Sequence, residues 1–326
     1  MHPAFSVIYL TTLIGAGQGL FLALYTSELY TTLGLLPAQD EPVFFAVGAL
    51  LALALLAAGL AASFAHLGHP ERAWRSAARW RTSWLSREVI ALPAFMGAVF
   101  LYGALHFLGW NPPIAVLGDG IPVRLTLAVG AVGVVLCFTL FLCTGMIYAC
   151  LRFLQEWATP LTVVNFFLLG TASGFTLATA CAAYAGHGLV RFFGDWALIF
   201  IALAFIGRSA ALVRNARLRR KSTIQSAIGV RHSRIRQISQ GAMGGSFNTR
   251  EFFHGKTHRT LHTAQWSFLV FGFAVPAALL AAGLSGASPA WLVAAFALQY
   301  LGLVAERWVF FAQAQHPQNL YYQKVA

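Results

Sequence analysis

Eight long apolar runs, separated by short polar segments, dominate the pattern of the chain. A hydrocarbon core of about 30 Å requires about 20 apolar residues per helix, and these runs are of that length or longer. The polar–apolar alternation of a membrane barrel is missing, so helices are expected. The predicted spans are residues 5–35, 43–65, 89–108, 122–153, 161–184, 192–213, 264–284 and 289–314. The pattern therefore predicts an all-α polytopic membrane protein, a single eight-transmembrane-helix bundle over residues 1–326.

Composition supports the membrane class. Hydrophobic residues make up 58% of the chain and charged residues only 10%, whereas soluble domains carry about 25% charged residues. The first apolar run has no basic stretch before it and is too long for the core of a signal peptide, so it is interpreted as the first span. In a soluble protein the net charge of +12 would suggest nucleic acid as a partner. Here it is interpreted as a signal of topology, with membrane lipid rather than nucleic acid around the chain.

The basic residues divide unequally between the two sides of the predicted bundle. Segment 214–262 holds eleven Lys or Arg against one acid, Glu251. With an even number of spans it shares a side with both termini and with further basic residues: Arg72, Arg75, Arg79, Arg81, Arg87, Arg152 and Lys324. The other side has Arg124 and Arg191. Loops rich in Lys and Arg usually lie on the cytoplasmic side of the membrane. We therefore predict a bacterial inner-membrane protein with cytoplasmic termini and a basic cytoplasmic loop at 214–262. The alternative is that some of these arginines bind a partner protein and do not report topology.

Histidine positions argue against a haem. A membrane b-type haem usually needs two facing histidines at suitable depth, but His66 and His106 lie at span ends on opposite sides. The spacing of His254, His258 and His262 would place them on one helical face, where a metal could bind. A basic, partner-facing segment is the simpler interpretation. The cysteines show no C-x-x-C pair, so we expect neither a metal site nor an iron–sulfur cluster in this chain.

His66 and Glu88 bracket one short basic loop and can lie at similar depth near the interface. An imidazole can hydrogen-bond a quinone oxygen and titrates near neutral pH, and a partly buried carboxylate can accept a proton. Arg72 could hold the carboxylate or polarise a carbonyl. The loop also supplies interfacial aromatics, Trp74, Trp80 and Trp84. Spacing alone leaves a plainer alternative open, in which the His–Glu pair only ties two helices among snorkelling arginines.

Four stretches give the chain a family resemblance. They are MHPAFSVIYLTTLIGAGQGL at the start, HLGHPERAWRSAARWRTSWLSRE after span two, SAIGVRHSRIRQISQGAMGGSFNTREFFHGKTHRTL in the long loop, and AERWVFFAQAQHPQNLYY near the end. On these stretches the chain resembles the membrane anchor subunits of dimethyl sulfoxide reductase, the DmsC family of molybdoenzyme anchors. The second and third stretches are the most specific.

The resemblance implies a haem-free anchor that binds a quinone, menaquinone or ubiquinone, near the face that docks its partners. Those partners would be a ferredoxin-like iron–sulfur subunit with four [4Fe–4S] clusters and a catalytic subunit holding molybdenum on a bis-pterin guanine dinucleotide (bis-MGD). Carried over by motif, the residues for quinol are His66, Gly68, Arg72 and Glu88, with Ser86 a weaker match. Trp84 would wall the pocket.

The favoured mechanism follows from this assignment. Quinol binds below the loop, His66 or Glu88 accepts its protons, and electrons leave singly to the partner's nearest cluster; the site could also run backward and reduce quinone. Basic residues would dock the partner by charge: Arg75, Arg79, Arg81, Arg250 and Lys256. Better-known anchors of the family place this loop on the periplasmic side, whereas the charge pattern here predicts cytoplasmic partners.

Other functions stay open at this point. They are a polysulfide-reductase-type quinone anchor, a secondary transporter, and an anchor without a redox role. The absence of a visible internal repeat weighs against the transporter. The catalytic partner's substrate cannot be read from this chain, and an S- or N-oxide reductase, a formate dehydrogenase or another molybdoenzyme would all fit.

Overall fold

The computed structural model describes residues 1–37, 42–117, 120–185, 188–219, 221–236, 238, 251–286 and 288–322. Within these residues, eight helices are long and apolar enough to cross a membrane, which confirms the predicted number of spans. They are α1 (Phe5–Thr32), α2 (Pro42–Phe64), α3 (Trp84–Leu108), α4 (Leu125–Ala149), α5 (Pro160–Ala185), α6 (Val190–Ala216), α8 (His258–Leu284) and α9 (Ala290–Ala312).

Shorter elements connect the spans. A 3₁₀ helix, Pro70–Arg79, occupies the loop between α2 and α3. An antiparallel hairpin of β1 (Pro113–Leu117) and β2 (Ile121–Arg124) precedes α4, where the Gly- and Pro-rich sequence predicted only a loop. Two short helices, α7 (Ile224–Ile228) and α10 (Asn319–Tyr322), follow α6 and α9 respectively.

The third span begins five residues earlier than predicted, at Trp84 instead of Val89. The side chain of Ser83 accepts a hydrogen bond from Ser86 N and caps the helix, as serine does at many helix starts. Glu88 therefore lies inside the helix rather than at its opening.

The seventh span also begins earlier than predicted, at His258 instead of Ala264. Thr257 caps its start by accepting a hydrogen bond from Thr260 N. Because His254 precedes this cap, the expectation that three histidines share one helical face is wrong. Only His258 and His262 lie on α8.

Helices α1 and α5 form the centre of the bundle and meet backbone to backbone. A Cβ added to Gly15 would lie 3.4 Å from Gly170 Cα, and one added to Gly174 would overlap the backbone of Gly19 and Leu20. Lipid tails give apolar helices no hydrophobic reason to associate, so small residues that allow close approach decide the packing. A similar contact joins Gly272, in a π-helical turn of α8, to Gly302 of α9.

Hydrogen bonds gather one set of loops at one end of the bundle. The Met1 amino group donates to Ala314 O (2.8 Å), and His2 N donates to Glu251 O (2.8 Å). Arg214 Nη1 donates to Gln155 O (3.0 Å) and so ties the end of α6 to the α4–α5 loop. We call this end, which also carries the α2–α3 loop, the loop face. The other end, with the β1–β2 hairpin, is the hairpin face.

The glycine contact between α1 and α5 gives a stability prediction. We expect Gly174→Ala to lower the free energy of unfolding by about 1–3 kcal/mol, because the new methyl group requires the two backbones to separate. Thermal unfolding of the purified protein in detergent measures the effect. Gly97→Ala on α3 is the matched control, since nothing lies within 4 Å of its added Cβ. Equal melting temperatures for the two variants would contradict the packing role.

Candidate functional site

A small cavity lies between α1, α3, α4, α5 and α9, near the loop face, with a volume of about 20 Å³, room for about one water molecule. Its walls are mostly apolar, supplied by Leu10, Ile14, Phe141, Phe166, Leu169 and Leu303. Two charged side chains enter it, Glu88 from α3 and Arg307 from α9. Apolar walls with a few placed polar groups are typical of sites for small organic ligands. We call this space the Glu88 cavity.

Glu88 is held in place by a hydroxyl group on the neighbouring helix. Thr144 of α4 donates a hydrogen bond to Glu88 Oε1 (2.5 Å), and the glutamate is only 9% exposed. A carboxyl group inside a membrane is costly and usually marks function. It can donate a proton when neutral and accept one when charged, so this position suits proton exchange with a bound ligand.

Arg307 approaches the same cavity from α9. Its guanidinium carbon lies 3.9 Å from the centre of the Phe166 ring and 5.2 Å from that of Phe310. Its Nε lies 3.0 Å from Glu306 Oε2. Flat contact with aromatic rings and a nearby carboxylate lets a guanidinium remain charged away from water.

Glu306 links two helices through charge. Its second oxygen, Oε1, lies 2.5 Å from Arg208 Nε on α6, and both side chains are almost fully buried. One carboxylate thus lies between two guanidinium groups, Arg208 and Arg307, leaving one net positive charge in this part of the bundle. Removing one partner of a buried ion pair is much more costly than removing an exposed one.

His66, unlike Glu88, is not part of this buried site. α2 ends at Phe64, and His66 follows it as an exposed side chain. Gly68 and Arg72 are also exposed, and Arg72 Nε lies 3.6 Å from Glu71 Oε1. Among the described residues, no hydrogen bond or ion pair joins His66 or Arg72 to Glu88, and neither lines the Glu88 cavity.

Ser86 and Trp84 lie close to Glu88 in sequence but have other contacts. Ser86 is buried and gives its backbone N–H to the Ser83 cap. Trp84 packs beneath the Arg87 guanidinium, 4.2 Å from the ring centre. Arg87 also donates to the carbonyl oxygens of Trp80 and Arg81, both at 2.8 Å. These bonds fix the end of the loop to the start of α3.

The basic residues predicted for docking form an exposed group in the same loop. Arg75 and Arg81 lie over the exposed rings of Trp74 and Trp80, at 5.6 and 5.5 Å, and Arg79 is exposed at the end of the 3₁₀ helix. Two further predicted residues lie in the long loop. Lys256 is exposed and donates its backbone N–H to His254 Nδ1 (3.0 Å), whereas Arg250 lies outside the described residues.

A second buried polar cluster lies at the hairpin face. Glu28 of α1 accepts hydrogen bonds from Tyr102 (2.7 Å) and from Thr126, and His106 Nε2 lies 3.6 Å from Glu28 Oε2. His106 also stacks on Phe45 at 4.8 Å. Eighteen residues of α3 separate Glu88 from His106, or about 27 Å at 1.5 Å per residue. The two buried carboxylates therefore belong to opposite ends of the bundle.

Sequence reasoning missed most partners of Glu88. Thr144, Gln18 and Thr11 line the cavity but resemble ordinary polar residues within apolar runs. Arg307 carried a signal, since an ionisable residue inside a span is a candidate for function. The sequence places it near the end of span eight and does not indicate which ligand it would serve.

These features define a multi-pass α-helical membrane protein with a small, mostly apolar cavity that a buried carboxyl group and a guanidinium line at one end. Comparison with known proteins specifies the class. Residues 1–311 match the family model described as DMSO reductase anchor subunit (DmsC). The chain is also 56% identical to a sulfite dehydrogenase subunit of Allochromatium vinosum, over the full length of both chains.

The chain therefore belongs to the DMSO reductase anchor subunit family. It is a membrane anchor of a molybdoenzyme complex and associates with a catalytic molybdoenzyme subunit. This confirms the resemblance found in the sequence and favours that family over the polysulfide-reductase-type anchor and the transporter.

The buried charges give a second stability prediction. Glu306→Gln leaves two guanidinium groups without a counter-charge, so we expect a loss of about 3–5 kcal/mol in the free energy of unfolding. Thermal unfolding in detergent is the measurement. Arg191→Ala breaks the exposed Arg191–Asp195 pair and should stay within about 0.5 kcal/mol of wild type. If Glu306→Gln unfolds at the wild-type temperature, the ion pair does not hold α6 to α9.

Proposed function

We propose that the chain exchanges electrons and protons between the membrane quinone pool and a partner iron–sulfur subunit, and that the quinone head group reacts in the Glu88 cavity without haem. The observation that carries the proposal is that a buried carboxyl group, Glu88, and a guanidinium, Arg307, line the same mostly apolar cavity. A quinone has carbonyl oxygens on opposite sides of a flat apolar ring. Glu88 can exchange a proton with one oxygen, and Arg307 can donate a hydrogen bond to the other.

The position of the cavity suits this reaction. The Glu88 cavity lies in the apolar bundle near the loop face, where a hydrophobic quinone from the bilayer and a water-soluble partner can both come close. Thr144 orients the carboxyl group, and Gln18 lines the wall while donating to Cys137 O (3.0 Å). The free space is narrow, so entry of the ring requires lining side chains to shift outward.

Similarity to a sulfite dehydrogenase subunit supports a direction for the reaction. We propose that the catalytic molybdenum subunit, with bis-MGD, oxidises sulfite and water to sulfate, two protons and two electrons. The electrons would pass through the [4Fe–4S] clusters of the iron–sulfur subunit to the quinone. The quinone takes up two electrons and two protons and leaves as quinol. This is the reverse of the favoured sequence-based mechanism and uses the same residues.

The exposed loop between α2 and α3 is the proposed docking surface. Its arginines, Arg75, Arg79 and Arg81, lie beside exposed Trp74 and Trp80, and aromatic side chains with arginine are enriched at protein interfaces. His66 and Arg72 lie at this surface rather than in the Glu88 cavity. We therefore place them between the docked partner and the bound quinone. When the partner covers this surface, both side chains become buried beside the quinone, as the family resemblance implies.

The function predicts the effect of neutralising Glu88. In the assembled complex, Glu88→Gln should lower quinone-linked turnover by about 100-fold or more, because the amide cannot exchange a proton. Dye-linked activity of the catalytic subunit should not change. Both are measured on purified complex of checked stoichiometry, with decylubiquinone and menadione as quinone probes.

Asp195→Asn is the matched control, a largely exposed carboxylate at the hairpin-face end of α6 that should leave both activities unchanged. Thr144→Val should give a smaller loss than Glu88→Gln, since it removes only the orienting hydroxyl. Wild-type quinone-linked turnover in Glu88→Gln would end the assignment of the cavity.

The charge asymmetry predicts that the loop face, with its partners, is cytoplasmic. Cys150 tests this, because it is a free, exposed cysteine at the loop-face end of α4. A membrane-impermeant maleimide should label it in inverted inner-membrane vesicles and not in intact spheroplasts. Cys150→Ser is the control for labelling at the other cysteines. Labelling of Cys150 from the outside would place the loop face in the periplasm.

A further inference from the structure

A second cavity adjoins the Glu88 cavity and shares Arg307 with it. It has a volume of about 10 Å³ and contains the Glu306–Arg208 ion pair. Apart from Ala211 and Phe310, the rest of its lining is polar: Glu156, Thr159, Thr162, Asn165, Asn215 and Gln313. We call it the Glu306 cavity. Its narrow space takes single water molecules rather than a larger ligand.

Glu156 connects the Glu306 cavity to the surface. This half-buried glutamate, in the loop between α4 and α5, lines the Glu306 cavity and also two outer clefts of about 40 and 510 Å³. The Glu306 cavity and the two outer clefts therefore share Glu156, and the Glu306 cavity and the Glu88 cavity share Arg307.

Buried polar atoms show that this interior suits water. Asn165 Oδ1, Arg208 Nη2 and Gln313 Nε2 are buried without a hydrogen-bond partner among the described residues. Buried polar groups nearly always find a partner, and internal waters supply it where a polar cavity has room.

We propose that the Glu306 cavity is the proton route of the quinone site: protons enter at Glu156 and move through water past Arg307 to Glu88. This inference rests on the proposed quinone function. In quinone reduction, Glu88 gives its proton to a quinone oxygen, and Glu156 replaces it with a proton taken from solvent. In quinol oxidation the same protons travel outward.

Glu306 and Arg307 act in this route as fixed charges rather than carriers. An arginine does not lose its proton in proteins, and Glu306 is the counter-charge of two guanidinium groups. Their role is to orient water between Glu88 and Glu156. The carriers are thus the two carboxyl groups at the ends of the polar path, as in the carboxylate relays of other membrane proteins.

Several charged and titratable groups surround Glu156 and contribute to the pH dependence of turnover. The three spaces that it lines contain Arg208, Lys221, His258, His262, Glu306, Arg307 and His316. The Met1 amino group is also near: burial lowers its pKa to about 5, although the negative charge of Glu156 acts in the opposite direction. Burial, with the nearby amino group, also lowers the pKa of His316 below 6.5.

The test uses the assembled complex, with sulfite as donor and decylubiquinone and menadione as probes. Glu156→Gln should lower quinone-linked turnover roughly tenfold or more above pH 7 and raise the solvent deuterium isotope effect, because proton delivery becomes limiting. Glu156→Asp and added azide, a small diffusible acid–base pair, should restore it. The KM for quinone and dye-linked activity should not change. A background with His258→Gln and His262→Gln removes their contribution to the profile.

A second variant guards against a purely structural effect. Gln313→Leu blocks the polar space without breaking a protein hydrogen bond of the Nε2 group, and it should slow turnover in the same way. If both variants retain wild-type turnover, pH profile and isotope effect while Glu88→Gln is inactive, the route is wrong and the quinone site stands. If Glu88→Gln itself is active, the proposed function fails first.

Discussion

Direct backbone contact between α1 and α5 is the constraint on which the rest of the bundle depends. In lipid, close packing must do what the hydrophobic effect does in water, and Gly15, Gly19, Gly170 and Gly174 let the two central helices meet without intervening side chains. The same contact shapes the site, because Gly15 and Gly170 also line the Glu88 cavity. A larger residue at either position would fill the space that the candidate ligand needs. Both the packing of the bundle and the space for the ligand therefore require residues without a side chain at these positions.

The buried ionisable groups of the described spans separate into two ends with different character. At the hairpin face, Glu28 accepts hydrogen bonds from Tyr102 and Thr126 and is close to His106. Both carboxylate oxygens of Glu28 therefore already have hydrogen-bond donors within the protein. At the loop face, Glu88 has one hydroxyl partner and borders open space. The contrast explains why the Glu88 end is the better candidate for chemistry, although both carboxylates are costly to place in a membrane.

Much of the architecture was predictable, because length and hydropathy of an apolar run are local properties of the sequence. The third span was misplaced by five residues because its first turn is polar and depends on the Ser83 cap, a weaker signal than an apolar run. Glu88 was accessible to sequence reasoning as an ionisable residue with a matching motif. Its partner Thr144 was not, and neither was its proximity to Arg307, since both lie on helices distant in sequence and only packing shows which polar residues share a cavity. His66 was paired with Glu88 by loop length, but the buried site does not contain it.

The placement of Glu88, Glu156 and the proposed docking surface at one end of the bundle has an energetic consequence. In a complex docked on the loop face, electrons arriving from the partner and protons arriving through the Glu306 cavity reach the quinone from the same compartment. No charge then crosses the bilayer during turnover, so the reaction neither generates nor consumes membrane potential. Its free energy would be kept only in the reduced quinol, for other enzymes of the membrane to use.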